Sequence, residues 1–264
     1  MSVPPSSSER DPTNRFSSRV ENYVRFRPGY PREILGLLET ECGLAKNSII
    51  ADIGSGTGKL AELFLANGYR VYGVEPNREM REAGDRLLSG FPNFGSIAAT
   101  AEDTGFPRAS VDFVTAGQAF HWFDRERCRK EFARILKSSG WIVLIWNDRQ
   151  TDATAFLAEY EKLLKTYATD YSKVDHKQID DEVVRKFFGQ APAKKLFPSR
   201  QEFDFEGLKG RLLSSSYAPE KGQRGHSEML RDLETLFNKH QEGGHVQFLY
   251  DTVVYYGQLD HRGG

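Results

Sequence analysis

From Ser48 onward the chain alternates short apolar runs with longer amphipathic stretches. Runs rich in β-branched or aromatic residues at Ile49–Ile53, Arg70–Val74, Gly95–Ala98, Val111–Thr115 and Trp141–Trp146 read as strands. Between them, Lys59–Asn67, Arg78–Leu88 and Arg125–Lys137 carry apolar residues at helical spacing. The first of these helices ends at Asn67-Gly68, where Gly68 can take the left-handed C-cap. Strand and helix in alternation build βαβ units, so the predicted class is α/β with a doubly wound, mostly parallel sheet.

After Asn147 the pattern changes. Phe156, Leu157, Tyr160, Leu163, Leu164 and Tyr167 recur at helical spacing within Asp152–Thr169, and Asp181–Phe188 reads as a second, shorter helix. These two are expected to form a helical lid, an insertion over about 150–190. Lys195–Phe205 alternates partly as a strand, Glu228–Lys239 is helical, and Val246–Tyr256 is a final strand that closes the sheet. Residues 1–15, MSVPPSSSERDPTNR, hold too little apolar surface to order themselves and are expected to be a disordered leader. One domain should then run over 16–264.

Composition narrows the function classes. A chain of 264 residues with 39% hydrophobic residues can bury one sizeable core. Its 36 basic and 37 acidic residues nearly cancel, so no excess field draws it to nucleic acid or to an anionic membrane, and neither is an expected partner. The longest large-apolar run, Trp141–Trp146, is far short of the roughly 20 residues that cross a bilayer. The N-terminus has no apolar signal region, which predicts a cytoplasmic protein. Cys42 and Cys128 lack the spacing of a metal or redox site and are expected to pack as small apolar side chains, with no metal bound.

The most informative stretch is Ile49-Ile50-Ala51-Asp52-Ile53-Gly54-Ser55-Gly56-Thr57-Gly58-Lys59, a strand that enters a loop with glycine at every second position. Missing side chains let a backbone approach a ligand closely. A phosphate-gripping P-loop would need glycine where Ile53 stands and Ser or Thr where Leu60 stands. A dinucleotide fingerprint counted from Gly54 would need its third glycine where Lys59 stands. What remains is D-x-G-x-G-x-G, followed at the end of the second strand by Glu75 in Val74-Glu75-Pro76-Asn77. A carboxylate there can accept both hydroxyl protons of a ribose.

This pairing resembles motif I and its acidic partner in the class I S-adenosyl-L-methionine-dependent methyltransferases. The resemblance implies a Rossmann-like seven-stranded sheet of order 3-2-1-4-5-7-6 with its last strand antiparallel. It further implies S-adenosylmethionine as cofactor, with Gly54, Ser55, Gly56 and Gly58 around it, Asp52 at the methionine amino group, and Glu75 and Pro76 at the ribose. Thr100-Ala101-Glu102-Asp103 is similar to the family's adenine segment, which puts Ala101 and Glu102 at the base. Gly117-Gln118-Ala119-Phe120-His121-Trp122-Phe123-Asp124 is similar to a small-molecule subgroup that includes trans-aconitate methyltransferase-like proteins. It brings in Gly117 and Gln118 at the cofactor, Trp122 at the acceptor, and His121 as candidate general base, with capping or packing as the alternative reading of that histidine. Glycine at 117 removes the aspartate that a catechol-type metal site would need there.

The stretch Tyr23-Val24-Arg25-Phe26-Arg27-Pro28-Gly29-Tyr30-Pro31 is similar to the subgroup's N-terminal cover. Tyr23 and Arg27 are its cofactor candidates, Arg27 for a carboxylate, and Tyr30 its acceptor candidate. Ser216 and Tyr217 are expected beside the acceptor, and Trp146 is expected to join Phe120 and Trp122 around the transferred methyl. The activity so implied is O- or N-methylation of a small molecule. An RNA or protein methyltransferase, and a relative that binds the cofactor without transfer, are the competing readings.

Overall fold

The computed structural model describes residues 20–168 and 180–260. The leader assigned to 1–15 lies outside them. In chain order the elements are α1 Val20–Phe26, α2 Glu33–Glu41, β1 Ile49–Ile53, α3 Lys59–Leu65, β2 Arg70–Val74, α4 Arg78–Leu88, β3 Phe94–Ile97 and β4 Val111–Gly117. A single 3-10 turn at Phe120–Trp122 leads into α5 Arg125–Ile135, β5 Leu136–Arg149, α6 Ala155–Tyr167, α7 Asp181–Phe188, β6 Ala193–Phe203, α8 Phe205–Leu213, α9 His226–His240 and β7 Val246–Gly257. The strands form a seven-stranded sheet of order β3-β2-β1-β4-β5-β7-β6, the order expected. Strands β1 to β5 pair in parallel, while β7 runs antiparallel to both of its neighbours.

The central strands are apolar on both faces, because helices cover both. Ile50, Val71, Phe113, Val143 and Ile145 face α2 and α3 in one cluster, whereas Ala51, Ile53, Val114, Ala116, Ile142 and Leu144 face α5 and α7 in another. Both cysteines are buried, in keeping with packing as small apolar side chains. Gly68 takes φ +82°, and its N–H closes the α3 terminus on the Leu65 carbonyl at 2.9 Å.

Three readings of the pattern are corrected. The strand expected at Trp141–Trp146 runs over Leu136–Arg149, because β7 pairs with it as far as Arg149. The strand expected at Lys195–Phe205 stops at Phe203, because Asp204 Oδ1 accepts from Gly207 N at 2.7 Å and caps α8, a helix the pattern did not reveal. The two helices of the 150–190 stretch do not form one lid. Leu157, Tyr160 and Leu164 of α6 pack with α8, α9 and the start of β7, while Val184, Phe187 and Phe188 of α7 join α5 in the core.

Candidate functional site

The chain crosses from one side of the sheet to the other between β1 and β4, and a crevice opens at the carboxyl ends of these strands, where α/β sheets hold ligands. There a cavity of about 410 Å³ lies between the glycine loop and a cover made by α1 and the residues just past α8. The loop is shaped by its glycines. Gly54 adopts φ +66°, and a Cβ there would stand 2.6 Å from Ala119 Cβ; Gly56 adopts φ +57°. Gly58 serves differently: at φ +84° it precedes α3 and packs under Leu88, and it does not line the cavity.

Two carboxylates fix the floor. Glu75 Oε2 accepts from Gly56 N at 2.9 Å, and Oε1 accepts from Asn77 N at 2.8 Å. Glycine loop and second strand are thereby locked together, with lone pairs on Glu75 left for further donors. Burial pushes the Glu75 carboxyl above its usual range in spite of those bonds. Asp52 is 1% exposed; Oδ1 accepts from Thr115 Oγ1 at 2.9 Å, and Oδ2 has no partner among the described residues. Burial raises this carboxyl to about 7. An acid so placed gains most from a cationic donor, since an unpartnered buried carboxylate is costly.

The wall is set by β4 and the turn beyond it. Gly117 leaves room for the Tyr30 hydroxyl, which a Cβ would strike. Gln118 takes a left-handed φ of +57°, with its N–H on the Ile145 carbonyl at 2.9 Å and Nε2 on the Asn147 carbonyl at 3.2 Å, so β5 holds this uncommon conformation in place. His121 and Trp122 line the cavity, their rings 4.8 Å apart. Ala101 and Glu102 border its far end, where Glu102 Oε1 accepts from Asp124 N at 3.0 Å.

The cover carries the remaining candidates. Tyr23, Arg27, Tyr30, Ser216 and Tyr217 all reach the cavity. Arg27 lies over the Tyr23 ring at 5.3 Å and donates through Nε to Ser214 Oγ at 3.1 Å. Trp146 departs from expectation. It is 3% exposed and sits in the core, edge-on to Phe120 and Tyr255, because this position on β5 points away from the cavity. Phe120 is likewise fully buried, so Trp122 is the member of the expected aromatic group that meets the cavity.

Several cavity residues escaped the sequence reading, among them Lys59, Asn147, Arg149 and Arg211. Lys59 Nζ donates to the Val24 carbonyl at 2.8 Å and ties α3 to α1, and Asn147 Nδ2 donates to the Gly29 carbonyl at 3.0 Å and ties β5 to the cover. Arg149 is paired with Glu161 of α6, and Arg211 reaches in from α8. Lys59 could have been found from its place next to Gly58; the other three depend on chain folding from afar.

Residues 51–144 match the methyltransferase domain family. An uncharacterised methyltransferase of Mycobacterium tuberculosis is 37% identical over 142 residues, which are 54% of this chain and 56% of that protein, so the match spans little more than half of that relative's length. An uncharacterised methyltransferase of Schizosaccharomyces pombe is 29% identical over 91% of this chain and 95% of its own. The solved structure of an Anaeromyxobacter dehalogenans protein assigned as a type II methyltransferase superposes with TM-score 0.68 at 22% identity, covering 89% of this chain and all of that one, which supports the fold.

Proposed function

We propose that this chain, whose residues 51–144 match a methyltransferase domain family, is a class I S-adenosylmethionine-dependent methyltransferase that transfers the methyl group of that cofactor to oxygen or nitrogen of a small-molecule acceptor. The observation that carries the reading is the joint placement of Glu75 and Asp52. One locks the glycine loop through Gly56 N, and the other holds an unpartnered oxygen, and both face a single cavity.

The residues present fit the cofactor. Asp52 Oδ2 would accept from its ammonium and Glu75 from its ribose hydroxyls, while Arg27 meets its carboxylate. Ala101 and Glu102 border the place for the base. When bound, the cofactor supplies an electrophilic methyl on a sulfonium that becomes a neutral thioether. The chain's own contribution is orientation and exclusion of water, with α1 and the 214–217 segment closing over the reacting end. His121 and Trp122 stand on the wall where an acceptor would lie, and His121 is suited to take a proton from an acceptor hydroxyl. Closure by a cover rather than an open groove favours a small acceptor over a polymer.

The test is calorimetric binding of S-adenosylhomocysteine, followed by radiolabelled methyl transfer into a cell extract separated by size. Label in the small-molecule fraction is expected. Label in RNA or protein alone would overturn the acceptor class, and binding with no label anywhere would overturn the activity.

A further inference from the structure

Two hydroxyls on one face of β7, those of Tyr250 and Thr252, reach the cover without touching it. Both residues are buried, and neither lines the cavity. Thr252 Oγ1 donates to Asn147 Oδ1 on β5 at 2.6 Å, and Asn147 Nδ2 donates to the Gly29 carbonyl at 3.0 Å. On the other neighbouring strand the pattern repeats. The Tyr250 hydroxyl donates to Gln201 Oε1 on β6 at 3.0 Å, and Gln201 Nε2 donates to the Phe26 carbonyl at 3.3 Å. Each relay thus runs from a hydroxyl on β7, through a carboxamide on a flanking strand, to a main-chain carbonyl of the cover.

The direction of both relays is dictated at the far end. A carbonyl can only accept, so each carboxamide must turn its nitrogen to the cover and its oxygen to β7, where it needs a donor. Without the hydroxyl that oxygen is left unpaired away from water, and the amide gains by rotating off the cover carbonyl. The cover depends on such outside donors. The Phe26 carbonyl ends α1, where helical partners run out, and Pro28 and Pro31 bring no N–H to the turn that follows. That turn carries Tyr30, whose hydroxyl lies against Gly117 in the cavity. Asn147 also accepts from Gln118 Nε2 on its own carbonyl at 3.2 Å, so its placement reaches the left-handed residue of the wall as well.

We infer that Thr252 and Tyr250 are positioning residues: they orient Asn147 and Gln201, and these two amides hold the cover closed over the bound cofactor. This rests on the proposed function in one respect, that the cavity takes S-adenosylmethionine. The relays share no hydrogen bond, so losing both releases the cover more than losing either.

The experiment follows binding and release of S-adenosylhomocysteine by stopped-flow fluorescence, with Trp122 at the cavity as reporter. It uses the full chain as wild type, Thr252→Val, Thr252→Ser, Tyr250→Phe and the Val/Phe double variant, with hydrogen exchange of residues 23–30 measured beside that of α5. Thr252→Val keeps the shape and loses the hydroxyl. It should speed release by about 5- to 30-fold, the range for loss of one buried neutral hydrogen bond, and leave association within about twofold of wild type. Thr252→Ser, smaller but still a donor, should release within about threefold of wild type. Tyr250→Phe should show the same split, and the double variant should release fastest. Exchange over 23–30 should quicken in Thr252→Val and Tyr250→Phe while α5 stays as in wild type. Release at the wild-type rate from Thr252→Val would overturn the inference. So would a Thr252→Ser more impaired than Thr252→Val, which makes Thr252 a packing residue, or faster exchange in α5 in both single variants, which makes the hydroxyls part of the general fold. A wild type that does not bind S-adenosylhomocysteine would instead remove the proposed function and this inference with it.

Discussion

The floor and the cover of the cavity are built on opposite principles. On the floor, backbone N–H groups of the glycine loop and two carboxylates do the work, and they come from the neighbouring strands β1 and β2, with Gly56 and Glu75 only 19 residues apart. In the cover, side chains do it: Arg27 and Ser214, 187 residues apart, meet between α1 and the end of α8. The floor is acidic and the cover is basic, though the whole chain has a formal charge of −1. A near-neutral total therefore conceals a polarised site.

This contrast can be broken most forcefully on the floor. In Gly54→Ala the new Cβ would meet Ala119 while the residue is held at φ +66°, so unfolding free energy should fall by about 2–4 kcal/mol in denaturant titration. An unchanged midpoint would show that the loop relaxes freely and that its glycine is not required. Next in size, Glu75→Ala should weaken S-adenosylhomocysteine binding by about 2 kcal/mol, roughly thirtyfold, by calorimetry. Equal affinity would take Glu75 out of the ribose role and leave it as a strut for Gly56.

The pH dependence sharpens the electrostatic side of the comparison. The Asp52 carboxyl stands at about 7 in the folded chain, above its unfolded value, so the protonated form is favoured by folding. Stability linked to this group is fully present below the unfolded value and is lost as pH rises from there to about 7. Cofactor binding runs the other way, because an ammonium requires the ionised acid. Affinity for S-adenosylhomocysteine should rise about tenfold between about pH 6 and 8, with proton release visible in buffers of different ionisation enthalpy. Asp52→Asn should abolish that slope; a slope that persists would assign it to another group. The smallest effect is expected at Trp146→Phe. It should cost under about 2 kcal/mol of stability and leave the acceptor concentration at half-maximal rate unchanged, because Trp146 packs on Phe120 behind the cavity. A marked change in that concentration would return it to the acceptor site.

Legibility followed the same division. The glycine loop and Glu75 could be picked out because each sits where a strand ends and the chain must turn, a position visible in the local pattern, whereas Asp52 and Gln118 were reached through the family resemblance. Trp146 was misplaced for a related reason. Alternation along β5 tells that successive residues face opposite sides, but both sides of this sheet are apolar, so the pattern does not say which one meets the ligand. Helix α8 was missed because Phe205–Leu213 contains Gly207 and Gly210, weak helix formers. Gly210 is there for packing: a Cβ would collide with the Phe26 ring of α1, at the contact that brings Arg211 and Arg27 to the same serine.

What the chain's order of residues settled alone is the sheet class and the glycine loop, since turn geometry and burial period act over a few neighbours at a time. What folding in three dimensions decided is the cover, the inward face of β5 and the meeting of two arginines. Those depend on which distant surfaces bury one another, and a linear pattern of apolar positions carries burial but not partners.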